Sequence, residues 1–294
     1  MRFMRITSIL TRNEIPSVRP LKAWLLIYEK ELYSRQYKQK TITDKLSMLK
    51  RVDEQLGQMP IGSIRPKNIQ QFIQKFIDKN QYCTAKHARV LLLDMFREAI
   101  VQEWIKNNPV THVAPTRVPV ARSRLLHSEW LHIYNAARVF CMPYVHHSML
   151  LSLVTAQRRA DISKMRRCDI YDDHLHIIQQ KTGMKVALPL SLYCAEIDIS
   201  LREVIAGCPG EDYLLSSRQV MPWSLSQGFR AARDIAYPAP EWESPPTLHE
   251  QRSLSERLYR DQGINTLRLL GHKSQRMTDD YNDDRGREFR RLVI

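Results

Sequence analysis

The C-terminal third of the chain carries the residues most suggestive of chemistry. Thr247-Leu248-His249-Glu250 has the pattern of a capping box, with Thr247 as N-cap and Glu250 three residues on. That predicts a helix running to about Gln262 and capped by Gly263. His249 and Arg252 stand three apart and so share a face in its first turn. The helix dipole favours acids there, so a histidine and an arginine work against it. The same N–H groups attract phosphate, and a phosphate contact would explain the placement. Taken alone, two exposed polar residues are the commoner reading of such a pair.

Leu269-Leu270-Gly271-His272-Lys273-Ser274 predicts a short helix ending at Gly271, with Ser274 capping the next. His272 falls in the tight corner between them, and Tyr281 follows nine residues later, on or just after that next helix. Upstream, the apolar helix through Met149–Val154 runs into Thr155-Ala156-Gln157-Arg158-Arg159-Ala160-Asp161-Ile162. The chain is expected to break near Thr155–Gln157 and restart as a helix. One of the two arginines then faces a cleft, and spacing does not decide which. Lys181 opens the turn of a hairpin that could carry its ammonium group into the same cleft. Each signal is weak by itself. Their order is specific: arginine, hairpin lysine, His-x-x-Arg, Gly-His, tyrosine.

These residues need a scaffold. Apolar residues at helical spacing mark 18–34 (Leu21, Trp24, Leu25, Tyr28, Leu32), 41–56, 66–77 and 84–105 (Val90, Leu91, Leu93, Met95, Phe96, Ile100, Trp104). Gly57 stops the second segment, Pro66 opens the third and Pro109 closes the fourth. Four amphipathic helices read as a small helical domain over 18–110, after a short N-terminal segment, 1–17. Residues 111–124 (THVAPTRVPVARSR) are proline- and arginine-rich and read as a basic linker. A second domain, 125–294, starts helical. It then changes period at Asp173–Gln180 and Met184–Leu190, a β-hairpin joined by Lys181-Thr182-Gly183. From Pro246 it returns to helix. The expected class is mainly α with a small antiparallel β-sheet.

The chain has 294 residues and a formal net charge of +14. Residues 1–110 contribute +10, the linker +3 and 125–294 only +1. That asymmetry points to a polyanionic partner for the front of the chain. The five cysteines are scattered, with no Cys-x-x-Cys pair, which excludes a recognisable zinc site or disulfide framework. No apolar run reaches membrane-spanning length and no secretory signal is evident, so a cytoplasmic protein is expected.

At TAQRRADI, the hairpin QKTG, HEQRSLSERLY, LLGHKS and YNDDRGREF the chain resembles the tyrosine recombinases, specifically the integrases of lambda-like phages. The resemblance runs from about residue 18 to the end. It implies a helical core-type DNA-binding domain followed by a tyrosine-recombinase catalytic domain. It implies the catalytic set Arg158, Lys181, His249, Arg252, His272 and Tyr281, the first arginine of the pair being the family's. Two positions depart from the family pattern. Ala156 stands where glycine is usual, which matters if the turn needs a positive φ. Gln251 stands where leucine is usual, which is expected to weaken helix packing. Only about seventeen residues precede the core-type domain here, where members with an additional arm-site DNA-binding domain carry some sixty or more, so arm-type binding is not an expectation for this sequence.

The implied reaction is attack of the Tyr281 phenol on a DNA phosphodiester, giving a 3′-phosphotyrosyl link and a free 5′-hydroxyl. The link conserves bond energy, so resealing needs no nucleotide. Arg158 and Arg252 offer forked donors to the non-bridging oxygens. His249 is the candidate base, Lys181 the candidate acid, and His272 a donor to a non-bridging oxygen. No metal and no other cofactor is expected. Arg122 and Arg124 on the linker, with Lys86 and Arg89 on the fourth helix, are candidate phosphate contacts. With the two domains they would close on duplex DNA as a clamp. The implied partners are double-stranded DNA attachment sites, a homotetramer on DNA, and accessory DNA-bending and directionality proteins, with no membrane. The tail Arg290-Arg291-Leu292-Val293-Ile294 is expected to add a strand to a neighbouring subunit's sheet. Integration and excision of a mobile element is the implied role. The competing readings are a type IB topoisomerase-like enzyme, which Holliday-junction formation would separate, and a catalytically silent DNA-binding regulator, against which stands the complete catalytic set.

Overall fold

Apolar residues of helical period condense into two separate cores, one on each side of residue 120. The computed structural model describes residues 18–119, 123–239 and 242–282. The expectations for 1–17, for Arg122 and for the C-terminal strand lie outside those residues. The fold is mainly helical with small antiparallel sheets. Among the described residues no helix is long and apolar enough to cross a membrane.

The first unit contains α1 (Leu21–Ser34), α2 (Gln39–Leu56), α3 (Pro66–Ile77) and α4 (Tyr82–Val101). Trp24 is fully buried, its indole N–H donating to the Met95 carbonyl at 3.2 Å and its ring 5.4 Å from Trp104. The fourth helix differs from its sequence pattern. It stops at Val101, Glu103 takes a positive φ of 57°, and Trp104 and Ile105 are buried beyond the turn rather than on the helix. Its inner face is Ala85, Ala88, Leu91, Leu92, Met95, Phe96 and Ala99, whereas Val90 and Ile100 are exposed. Small alanines let the helix approach its neighbours closely, and a count of large apolar letters misses them. Val113, at the start of the expected linker, is buried in this core, and its carbonyl accepts from Arg89 Nε at 2.8 Å.

The second unit is built around α6 (Pro143–Thr155), apolar and buried from Met149 to Thr155 except for the half-buried Leu150. Two of its hydroxyls are satisfied within the helix, whereas the buried Nδ1 atoms of His146 and His147 have no hydrogen-bond partner among the described residues. Ser148 Oγ donates to the Val145 carbonyl at 2.7 Å and Thr155 Oγ1 to the Leu151 carbonyl at 2.5 Å. The helices α5 (His127–Phe140), α8 (Leu201–Ala206), α9 (Pro222–Ala236) and α10 (Glu250–Asp261) pack around it. Between α7 (Arg159–Ile162) and α8 lies a three-stranded antiparallel sheet of β1 (Ile170–Tyr171), β2 (His174–Ile178) and β3 (Lys185–Pro189). A two-stranded pair, β4 (Tyr193–Cys194) and β5 (Ile199–Ser200), follows. The pairings Leu175↔Leu188 and Ile177↔Val186 set apolar side chains on one face against the core. The strands are shorter than the sequence suggested. Gln179 N–H still bonds across the hairpin to the Met184 carbonyl at 2.9 Å, whereas Gln180 N–H turns away to Asp161 Oδ1 at 2.7 Å.

Two short helices complete the unit, α11 (Thr266–Leu270) and α12 (Gln275–Asn282). The expected cap of α10 is corrected. The helix begins at Glu250 with His249 at its boundary and no side-chain cap bond there. Instead Glu250 N–H donates to the Thr247 carbonyl at 2.9 Å, a tight backbone turn in place of a capping side chain. Gln251 is only half satisfied, because its buried Nε2 has no hydrogen-bond partner among the described residues. It is fully buried, and its Oε1 accepts from the Trp130 indole N–H at 2.8 Å. The polar side chain thus satisfies a donor that would otherwise be stranded in the core.

Ala156 terminates α6 in the left-handed region, at φ 55° and ψ 22°, and is fully buried. A Cβ in that region costs about 1–2 kcal/mol. Ala156→Gly removes this strain and loses a buried methyl of about 0.8 kcal/mol. The variant is therefore expected to be more stable by about 0.5 kcal/mol in denaturant melts, a small rise with unchanged m-value. A second expectation concerns pH. Burial, and then the neighbouring His146 ring 4.1 Å away, lower the His147 pKa to about 4. The unfolded ring titrates near 6.5. The unfolded chain therefore binds more protons between those values. Stability should be level above about pH 6.5 and fall as pH drops towards 4. His147→Gln should reduce that slope in thermal melts across the same range.

Candidate active site

Ala156 and Gln157 form the break that places Arg158. After the left-handed turn at Ala156, Arg158 takes extended angles and stands as the N-terminal boundary of α7. Its Nη1 donates to Gln179 Oε1 at 2.8 Å. Gln179 is fully buried and works on all sides. Its Nε2 donates to Gln157 Oε1 and to the Leu270 carbonyl, both at 2.8 Å, while its Oε1 also accepts from Thr182 Oγ1 at 2.8 Å. Gln157, 1% exposed, donates in turn to the Thr155 and Leu269 carbonyls at 2.9 Å. The hairpin carrying Lys181, the turn carrying Arg158 and the end of α11 are therefore one hydrogen-bonded assembly.

Arg252 sits within it at 1% exposure. Its Nη1 donates to the Ala156 carbonyl and its Nη2 to the Leu270 carbonyl at 2.6 Å. The same Nη2 lies 3.3 Å from His272 Nε2. A guanidinium can only donate, so Nε2 accepts, and the ring proton resides on Nδ1, which donates to Thr278 Oγ1 at 3.0 Å. Burial, then the Arg252 and Arg158 charges, lower the His272 pKa to about 4, so the ring is neutral at pH 7. His272 itself is placed by Gly271, whose φ of 62° ends α11 and brings His272 N–H to the Leu267 carbonyl at 3.0 Å. A side chain at Gly271 would also meet Gln179 at 2.7 Å, so glycine is required twice over.

A cleft of about 590 Å³ gathers Arg158, Lys181, His249 and Arg252 on its walls. Arg159, Arg230 and Arg233 line it too, with Ser226 and Gln227, and among the described residues no carboxylate does. Such a cleft suits an anion with several oxygens. Lys181 and His249 are exposed on its rim, whereas Arg252 is deep. Tyr281 stands in the last turn of α12, which packs against α10 and α11; its side chain lies outside the described residues. Both arginines of the 158–159 pair reach the cleft. Only Arg158 joins the buried network, while exposed Arg159 donates to Ser226 Oγ on α9. Of the four other predicted DNA contacts, Lys86 is exposed, Arg89 is tied to Val113, Arg124 is half-buried and Arg122 is outside the described residues.

Sequence reasoning missed Gln157, Gln179 and the α9 contribution. The signal for Gln179 was there: a polar residue at an inward position, just past an alternating strand and two residues before the lysine. The α9 residues carried none, because a polar helix face looks the same whether it meets solvent or a cleft.

Residues 123–287 match the model of the Phage integrase family, and residues 25–115 that of the Phage integrase central domain. The prophage integrase IntE of Escherichia coli strain K12 is 37% identical over 293 residues, covering 93% of this chain and 77% of its own. Two solved structures of lambda integrase, a dimer bound to a COC′ core site and a tetramer bound to a Holliday junction, each superpose with a TM-score of 0.86. They are 38% and 37% identical, cover 95% of this chain in both cases, and are themselves covered over 81% and 82%. The chain belongs to the phage integrase family of tyrosine site-specific recombinases.

Proposed function

We propose that Arg158, Lys181, His249, Arg252, His272 and Tyr281 are the catalytic set with which this recombinase cuts and rejoins DNA. The arginine-lined cleft holding four of them, with no carboxylate among its described residues, carries the reading. The scissile phosphate takes the place of solvent there. Arg252 meets one non-bridging oxygen from a position fixed by two main-chain carbonyls, and Arg158 a second, held by Gln179. Donors fixed in advance lower the barrier because they need no reorganisation as charge builds. Tyr281 attacks phosphorus, its phenolic proton passes to His249, and the 5′-oxygen leaves with a proton from Lys181. The reverse sequence reseals the strand. His272 is assigned a different first task from the one expected. With its Nε2 accepting from Arg252, it orients that guanidinium; donation to a phosphate oxygen requires the proton to move from Nδ1 to Nε2.

The substrate in this reading is a pair of duplex attachment sites, exchanged to integrate or excise a mobile element. The lambda integrase structures on a core site and on a Holliday junction support it, as does the tetramer in the second. The protein would then act in the bacterial cytoplasm on nucleoid DNA. Lys86 and the linker arginines Arg122 and Arg124 would meet phosphates, with affinity falling steeply as salt rises. Residues 111–124 would connect the core-type unit to the catalytic one.

Covalent trapping on a nicked suicide duplex from the element's own flanks tests the assignment. Wild type should form a protein–DNA adduct and Tyr281→Phe none. Arg252→Lys keeps charge but loses the fork, and adduct formation should slow at least about 100-fold, some 3 kcal/mol. DNA binding without any adduct from wild type would favour the silent regulator. Gln179→Leu strips the bonds that join hairpin, Arg158 and α11. It should cost about 3 kcal/mol of stability in denaturant melts and slow cleavage more than it weakens DNA binding.

A further inference from the structure

Thr278 is the buried contact of the helix that carries the nucleophile. Among the described side chains of α12, Gln275, Arg276, Met277 and Asp279 are exposed and Thr278 is 1% exposed. Its Oγ1 lies 3.0 Å from His272 Nδ1, and the His272 ring, 4% exposed, touches Arg252 on its other side. Thr278 and Tyr281 are three residues apart on the same helix, α12. A threonine has weak helix propensity, so its presence mid-helix is not explained by helix formation.

We propose that Thr278 is a positioning residue for strand cleavage: its hydroxyl pins the Tyr281 helix to His272 and holds that ring in the Nδ1-protonated tautomer that orients Arg252. One bond thus sets two geometries at once, the register of α12 against the phosphate site and the direction of the Arg252 guanidinium. Without the hydroxyl, the buried Nδ1–H loses its acceptor. The ring then turns or changes tautomer, and α12 loses its polar anchor. A lone methyl in the same place fills the space but supplies neither. The proposal rests on the tyrosine-nucleophile reading above.

The test compares wild type, Thr278→Val and Thr278→Ser. Three readouts are taken: single-turnover adduct formation on the nicked duplex, affinity for the intact duplex, and nitrogen NMR of His272. Wild type should show a neutral ring protonated on Nδ1. Thr278→Val should lose that signature and form adduct about 10–100-fold more slowly, with affinity within about twofold, because the lost bond acts on alignment rather than on DNA contacts. Thr278→Ser should restore both signature and rate. An Nε2-protonated wild-type ring, or Thr278→Val cleaving at the wild-type rate, overturns the proposal. The wild-type spectrum decides the tautomer even if the valine variant fails to fold. An Nδ1-protonated ring with no adduct from any variant would overturn the nucleophile reading and, with it, any positioning role in cleavage. An adduct in wild type and valine alike would leave the nucleophile standing and remove the role of Thr278.

Discussion

The Leu270 carbonyl is the point on which the catalytic unit turns. It accepts from Arg252 Nη2 at 2.6 Å and from Gln179 Nε2 at 2.8 Å. One donor comes from α10, the other from the β2–β3 hairpin, and the acceptor is the last carbonyl of α11. A helix C-terminus leaves its final carbonyls without intrahelical partners. Here they receive buried polar side chains, so an obligation of helix geometry fastens three elements together. Gly271 makes this possible, since any Cβ there would strike Gln179 and Val186.

The consequence is electrostatic. Burying a guanidinium costs several kcal/mol unless its donors are satisfied. Arg252 donates to two main-chain carbonyls, and among the described residues no carboxylate lines the cleft. A site arranged in this way keeps its positive potential for a ligand. The neutral state of His272 follows from the same field, its proton held off by burial and by two neighbouring arginines.

Two departures from the family pattern behave differently. Gln251 is compensated in part: Trp130 offers a donor to its Oε1 across 2.8 Å, while its buried Nε2 has no hydrogen-bond partner among the described residues. Ala156 is not, because no partner relieves a positive φ; the strain is carried by the turn that feeds Arg158 and accepts from Arg252. A substitution that adds a polar group is repairable by a neighbour, whereas one that conflicts with backbone geometry is repairable only at the same position.

The sequence by itself determined the helical front unit, the hairpin, the break before Arg158 and the Gly271 corner. Those features rest on local periods and on residues with narrow backbone preferences, so nearby letters are enough. It also carried the residues proposed as the catalytic set, through the motifs that resemble those of the tyrosine recombinases. It placed Leu91, Met95 and Phe96 on the inner face of α4 but also the exposed Val90 and Ile100, and it missed Ala85, Ala88 and Ala99, because buried alanines carry little weight in an apolar pattern. Tertiary structure alone decided that Gln157 and Gln179 lock Arg158, that Arg252 is held by the carbonyls of Ala156 and Leu270, and that α9 supplies Ser226 and Arg230 to the cleft. Those contacts join residues tens of positions apart. Each depends on which polar side chains lose water together, and that is fixed only when the core closes.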